Sequence, residues 1–279
     1  MSTSPIRLVR RIRFSSGHRY WDVAKSEAEN RAKYGRWASP FNHGHNYVLD
    51  VGVEGMLDPR TGMVVNIKRV DDVLKDHIVA QFDQKSINDE VEAFKSKSVT
   101  LENLLTYFGA ILTQPGVLPP QVQLATLRLE ETHDLYGEWS LSTNTMTLTR
   151  SYEFAAAHRL HVPQLSEEEN VRLFGKCNHI SGHGHNYILE VSVSGEVDPL
   201  TGMMVDLMEL DRIVNEEIVD RYDHKFLNID IPEFKESPTT SECIAQEVFN
   251  RLDRALPVRL SRVRLFETAR SYFEVESAS

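Results

Sequence analysis

The chain has 279 residues, a formal net charge of −10 and a pI near 5.6. This acidity disfavours nucleic acid or an anionic membrane surface as the main partner, because both call for a basic protein surface. Only two cysteines occur, Cys177 and Cys243, so a disulfide framework is not indicated, and no apolar run is long enough to span a bilayer. These features predict a cytoplasmic protein with neither nucleic-acid nor membrane partners.

The two halves of the chain carry the same motifs in the same order. Residues 43–47 read His-Gly-His-Asn-Tyr, and residues 183–187 repeat those letters 140 positions later. The same offset relates residues 14–18 to residues 154–158 without insertion or deletion. A repeat of this length is a whole domain rather than a solenoid unit.

Length and duplication together predict two domains, residues 1–142 and residues 143–279, joined in a polar stretch. Alternating and helical apolar patterns are clearer in the second domain. The predicted elements there are strands at 146–157, 186–195, 203–207, 261–266 and 271–275, a polar loop at 163–174, and helices at 209–222 and 241–256, the latter capped by Thr239 or Thr240. Strands and two helices in this order predict an α+β domain with an antiparallel sheet and helices on one face.

Histidines at three positions of the second domain form a candidate metal site. His183 and His185 alternate at the start of a strand, so their imidazoles point to the same face. His158 ends the preceding strand and is the third candidate ligand. Three neutral imidazoles leave an open coordination position, as in catalytic zinc sites. A Gly-His-Gly-His run alone is more often a polar turn, but this one occurs twice. The matching set of the first domain is His18, His43 and His45.

Three further residues of the second domain are candidates for acid–base chemistry. Cys177 would lie near the metal, where a cation favours the thiolate and makes it a proton acceptor. In Asp223-His224, a carboxylate stands next to an imidazole that can hold and pass a proton. An isolated Asp-His pair is usually a helix cap or a surface pair. Its presence with a repeated histidine set favours the functional interpretation.

Taken together, these motifs resemble the 6-pyruvoyl tetrahydropterin synthase family, which also contains 6-carboxy-tetrahydropterin synthase. The resemblance covers both halves and is most specific from Cys177 to Tyr187. It implies the tunnelling fold (T-fold), a four-stranded antiparallel sheet with two helices, whose sheets join across subunits into a barrel. It also implies a small-molecule substrate, a pterin triphosphate, and Zn2+ bound by the three histidines.

The resemblance further implies a role for individual residues. The catalytic residues that it implies are Cys177, Asp223, His224 and Glu267. Glu267 also anchors the pterin, since a carboxylate can accept two hydrogen bonds from an amino-pyrimidine edge. Thr240 and Ser241 fall where family members bind the pterin ring. The implied reaction converts 7,8-dihydroneopterin triphosphate to 6-pyruvoyl tetrahydropterin and releases triphosphate.

Two alternatives stay open. The first is the 6-carboxy-tetrahydropterin synthase of the queuosine pathway, although five residues separate Cys177 from His183, as in the pyruvoyl enzymes, whereas the carboxy enzymes typically have three. The second is a non-catalytic protein that binds zinc and pterin. The intact Cys177, Asp223 and His224 argue against it, because binding alone would not require them.

The first domain departs from the family pattern at two positions. Trp37 stands where the second domain has Cys177, and Gln84 stands where it has His224. An indole and an amide cannot exchange protons at neutral pH, so this domain is expected to bind metal without catalysing. The family's sites draw on neighbouring subunits, which predicts a homotrimer with the second domains in one ring and the first domains in another.

Overall fold

The computed structural model describes residues 4–278 and divides the chain into two compact units. Unit 1 comprises Met1–Leu148 with Gly195–Met204, and unit 2 comprises Thr149–Ser194 with Val205–Ser279. Among the described residues, no helix is long and apolar enough to cross a membrane.

The first half is built on four long strands in the order β5-β4-β2-β1, each antiparallel to its neighbour. A strand of two residues, β3, pairs in parallel with β1. The strands are β1 Ile6–His18, β2 His43–Gly55, β3 Lys85–Ser86, β4 Val122–Thr132 and β5 Leu135–Ser140. The register of β1 and β2 places His18 directly opposite His43, which brings two candidate ligands together at one end of the sheet.

The helices of the first half are α1 Glu27–Tyr34, α2 Ile67–Leu74, α3 Ala80–Phe82, α4 Ile87–Glu90 and α5 Leu101–Leu112. A π-helical turn, Lys75–Val79, joins α2 to α3. Helix α5 begins where the Thr100 side chain accepts a hydrogen bond from the backbone N–H of Asn103, which satisfies one of the free donors of the first turn. Its buried side chains pack on β4 and β5.

The second half repeats this order, with the strands arranged β10-β9-β7-β6. Its elements are β6 Thr145–His158, α6 Glu167–Phe174, β7 His183–Ser194, α7 Leu207–Val214, α8 Asp220–Tyr222, β8 Lys225–Phe226, α9 Leu227–Asp230, α10 Ser241–Ala255, β9 Arg259–Thr268 and β10 Ser271–Glu276. Four of the predicted strands and the helix predicted at 241–256 are confirmed to within a few residues, and Thr240 caps that helix. The chain is therefore a tandem α+β protein.

Two predicted elements are wrong. The strand predicted at 203–207 does not form, because Asp206 caps α7 by accepting a hydrogen bond from the backbone N–H of Met208. The loop predicted at 163–174 contains helix α6, which starts with a reciprocal capping box between Ser166 and Glu169. The Ser-x-x-Glu spacing was the signal that could have revealed this helix.

The helix predicted at 209–222 is present in altered form. It begins at Leu207, and a π-helical turn, Asn215–Val219, separates α7 from α8. The first half has the same irregularity at the matching place, Lys75–Val79. Apolar spacing does not reveal a π turn, because one widened turn leaves most of the buried positions unchanged.

In each half, the hydrophobic core lies directly next to the three histidines. Alternate residues of β2, from Tyr47 to Val53, are fully buried, as expected for a strand with one face on the core. Tyr47 stacks on Phe14 with ring centroids 5.1 Å apart, and Tyr187 stacks on Phe154 at the same distance. The histidine-bearing strand ends are thus held by packed aromatic residues.

Candidate metal and catalytic centre

The three histidines predicted in the second half lie together in unit 2. The Nε2 atoms of His158 and His183 are 3.1 Å apart, and the rings of His183 and His185 are centred 5.0 Å apart. One nitrogen from each of the three imidazoles lies within 4.8 Å of the other two. His158 is fully buried at the end of β6, and the other two lie at the start of β7.

These imidazoles are suited to binding a metal ion. Burial lowers the pKa of His158 and that of His183, so both rings are neutral at neutral pH and offer a lone pair. Two buried ring nitrogens, His183 Nδ1 and His185 Nε2, have no hydrogen-bond partner among the described residues. An unpaired buried nitrogen is costly, and a metal ion bound among the three rings would satisfy His185 Nε2.

The orientation of His158 is fixed by a group that the sequence could not reveal. Its Nδ1 lies 2.7 Å from the backbone carbonyl oxygen of Thr239. A carbonyl only accepts, so Nδ1 donates and Nε2 is left free to face the other histidines. In the first half, His18 Nδ1 lies 3.1 Å from the carbonyl of Val99. Both partners are backbone atoms, which carry no residue-type signal.

The first half contains the same cluster in unit 1. His18, His43 and His45 each offer a nitrogen within 4.8 Å of the others. Burial lowers the pKa of His18 to about 3 and that of His45 to about 4, so these imidazoles are neutral as well. Glu131 lies beside them, with Oε1 3.5 Å from His45 Nε2.

A glutamate also lies beside the histidines of the second half. Glu267 Oε1 is 3.6 Å from His158 Nε2 and 3.7 Å from His185 Nε2. The Ser241 hydroxyl donates a 2.8 Å hydrogen bond to the same oxygen. Thr240, the N-cap of α10, directly precedes Ser241, so two of the predicted substrate-binding residues lie at the start of this helix.

Asp223 and His224 form a pair next to β6. Asp223 Oδ1 accepts a 2.8 Å hydrogen bond from the backbone N–H of Ala155, and Oδ2 lies 2.7 Å from His224 Nδ1. Both contacts lower the pKa of Asp223, and the hydrogen bond from the Ala155 backbone has the larger effect. His224 has a left-handed backbone with φ of 56°, and Gln84, its counterpart, has φ of 58°. Such a conformation is unfavourable for residues other than glycine.

The chain brings some of the predicted site residues together and leaves others apart. His158, His183, His185, Ser241 and Glu267 form one cluster. Cys177 is partly buried in the turn Gly175–Asn178, and His224 is 84% exposed, lining an open concavity that His185 also lines. Within residues 4–278, neither makes a hydrogen bond to the three histidines.

An aromatic cluster packs beside His18 in the first half, whereas His43 of the same metal cluster is exposed. Tyr20 is 6% exposed and its ring centre is 5.3 Å from that of His18. Tyr34 and Ala38 pack with it, and Trp37 and Met203 pack against this group. At the positions of Tyr20 and Trp37 the second half has the smaller Leu160 and Cys177. The two histidine clusters therefore differ in the side chains at these two neighbouring positions.

Comparison with known proteins gives a family for both halves. The profile of the family described as 6-pyruvoyl tetrahydropterin synthase matches residues 7–140 and again residues 147–278. The human protein named 6-pyruvoyl tetrahydrobiopterin synthase is 44% identical over 122 residues, which is 43% of this chain and 84% of that protein. A putative 6-carboxy-5,6,7,8-tetrahydropterin synthase of Archaeoglobus fulgidus is 41% identical over 103 residues, 36% of this chain and 78% of that protein. A solved structure of Caenorhabditis elegans 6-pyruvoyl tetrahydropterin synthase is 39% identical, covers 48% of this chain and 96% of that chain, and has a TM-score of 0.47.

Proposed function

Because the chain belongs to the 6-pyruvoyl tetrahydropterin synthase family, we propose that its second half converts 7,8-dihydroneopterin triphosphate to 6-pyruvoyl tetrahydropterin with release of triphosphate. The observation that carries this proposal is the cluster of His158, His183 and His185 beside Glu267, in the half that also retains Cys177. The names of the relatives support the class of reaction, a lyase acting on a pterin.

Zinc is the metal that we assign to the three histidines. Three imidazoles, with no fourth protein ligand grouped with them among the described residues, are the donor set of catalytic zinc sites, and the unpaired Nε2 of His185 supports a cation there. When bound, a zinc ion would supply Lewis acidity toward substrate oxygens and would favour the thiolate form of a nearby cysteine.

Proton transfer is assigned to Cys177 and His224. The Cys177 thiolate removes a proton from the substrate side chain, and His224, oriented by Asp223, returns a proton elsewhere as triphosphate leaves. The 2.7 Å contact between His224 and Asp223 supports this assignment, because a carboxylate stabilises the imidazolium that forms when the ring takes up a proton. The exposure of His224 leaves the ring accessible to a substrate or a second subunit.

Recognition of the pterin is assigned to Glu267 together with Thr240 and Ser241. The hydrogen bond from Ser241 holds one carboxylate oxygen of Glu267 and leaves the other available to the ring's donor edge. Like the zinc ligands, these residues belong to the described part of unit 2, so a pterin bound here would lie beside the metal.

The first half is assigned a non-catalytic metal site. Trp37 and Gln84 replace the two proton-transfer groups, and the ring of Tyr20 stands close over His18. We therefore assign turnover to the second half alone.

The reaction can be tested by product analysis. The full chain, loaded with zinc and incubated with 7,8-dihydroneopterin triphosphate, should release triphosphate in step with 6-pyruvoyl tetrahydropterin, both measured by mass spectrometry. A 6-carboxy product would replace this proposal by the queuosine-type activity. Substrate that is bound but recovered unchanged would identify a binding protein. Protein carrying Cys177→Ala serves as the background.

A further inference from the structure

Two β-turns in this chain have the same sequence pattern and the same hydrogen bonds. The first tip, residues 58–64, and the second tip, residues 198–204, both begin Asp-Pro-Xaa-Thr-Gly-Met. In the first, the Asp58 N–H donates to the Met63 carbonyl at 2.9 Å. In the second, Asp198 donates to Met203 at 3.0 Å. The first tip is therefore preformed in the conformation of the second.

The second tip is docked within unit 1, at the start of helix α5. The Thr100 hydroxyl donates a 2.6 Å hydrogen bond to the Gly202 carbonyl, and the backbone N–H of Met204 donates to Glu102 Oε1 at 3.0 Å. Thr100 is 2% exposed and Glu102 is 3% exposed. A carboxylate is buried at this depth only when it accepts hydrogen bonds, and here the tip supplies one.

The same docking residues recur in the second half without a tip on them. Thr240 and Glu242 correspond to Thr100 and Glu102, but Thr240 is only partly buried and Glu242 is exposed. Each chain therefore has one covered helix start and one uncovered one.

The first tip is correspondingly free in the described part of the chain. Met63 is 47% exposed, and a Cβ built on Gly62 would meet no atom within 4 Å. At Gly202, in the docked tip, such a Cβ would lie 2.2 Å from the Asn103 side-chain nitrogen. Each chain thus carries one unused tip and one unused surface of matching chemistry.

We propose that the first tip of one chain docks on Thr240–Glu242 of a second copy of this chain. In this contact the Gly62 carbonyl accepts from the Thr240 hydroxyl, so that Thr240 would meet a pterin through its backbone only, and the backbone N–H of Val64 donates to the Glu242 carboxylate. The occupant is a second copy, because its tip has the sequence and conformation already seen on the equivalent surface of unit 1.

The docked copy would also lie near the candidate site. Met203 of the second tip packs against the cluster of Tyr20, Tyr34 and Ala38, against which Trp37 also packs. The matching positions in the second half are Leu160 and Cys177. Met63 of the second copy would therefore pack on the same group of residues as Cys177, which includes Leu160, and add to the surroundings of the candidate site.

A cysteine already present in the chain allows a direct test. A Cβ on Gly202 lies 3.1 Å from Asn103 Cγ, and the residue that corresponds to Asn103 in the second half is Cys243. This separation is compatible with a disulfide. In the Gly62→Cys variant, mild oxidation should join chains through residue 62 of one and Cys243 of another, giving covalent dimers and larger species on a denaturing gel.

Matched variants make the result specific. Adding Cys243→Ala should remove the cross-link, and Arg60→Cys should form far less of it, because its counterpart Leu200 is 80% exposed in the docked tip. Peptide mass spectrometry identifies the joined residues. Gly62→Cys chains that stay uncrosslinked, or that form the disulfide within one chain, would overturn the proposal.

A second measurement avoids the left-handed backbone at Gly62, where cysteine is strained. Glu242→Arg should lower the molar mass of the native assembly measured by light scattering, because a guanidinium cannot accept a hydrogen bond from a backbone N–H. Glu236→Arg, on another exposed glutamate, should leave the mass unchanged. An unchanged mass for Glu242→Arg would contradict the docking. Neither measurement uses a substrate, so the outcome is independent of the proposed reaction.

Discussion

Replacing Cys177 by alanine should slow turnover by about a hundredfold to ten-thousandfold, the usual cost of removing a positioned general base. Zinc content and pterin binding should persist, because neither depends on the thiol. The measurement is the rate of triphosphate release at saturating substrate, together with metal analysis of the purified protein.

The second cysteine provides the control. Cys243 lies in helix α10 and is partly buried, so Cys243→Ala should change packing slightly and leave turnover near that of the parent. Near-normal turnover by Cys177→Ala would remove this residue from the proposed mechanism and leave proton abstraction to another group.

Metal content and activity should separate when the two histidine clusters are altered one at a time. The parent chain should bind about two zinc ions, one per cluster. His183→Ala should bind one ion fewer and turn over on the order of a hundredfold or more slowly, because a Lewis acid lowers the activation free energy by several kcal/mol. His43→Ala should lose one ion and retain much of the activity, because its cluster lacks the proton-transfer groups.

Both variants need metal analysis and thermal unfolding alongside the rate. If His43→Ala abolishes turnover in a protein that stays folded and assembled, the assignment of turnover to the second half alone is wrong. If both variants retain two ions per chain, the histidines are not the ligands.

Much of the candidate site could be predicted from the sequence, because the motifs that indicate it are short and occur twice. Alternation along β7 predicted that His183 and His185 share a face, and the end of the preceding strand supplied His158 as their partner. The repeat then favoured a metal site over a polar turn. The carbonyl of Thr239, which orients His158, could not be predicted, because a backbone atom is present at every position. The π turns were missed because their apolar spacing is still that of a helix.

Assembly is where the sequence and the structure lead to different expectations. The resemblance suggested that second halves share one ring and first halves another. The proposed docking of the first tip instead places a first half next to each second half. In such a ring, second halves are not neighbours of one another. If Cys177 of one chain acts with His224 of another chain, the two residues must therefore meet across a contact between two rings. The cross-linking experiment distinguishes these arrangements, because only docked tips place residue 62 beside Cys243.

The left-handed backbone of His224 and Gln84 has a consequence for how stability and turnover are related. A residue with a side chain loses about 1–2 kcal/mol of stability in this conformation, and glycine does not. Glycine in turn loses about 0.5–1 kcal/mol on folding because its unfolded chain is more flexible, so the net gain from a substitution by glycine is small. Gln84→Gly should therefore raise the melting temperature slightly without altering turnover. His224→Gly should also be tolerated or stabilising in thermal unfolding, yet it should lose most of the activity. A screen for heat resistance alone would favour both substitutions, and one of them would disable the enzyme.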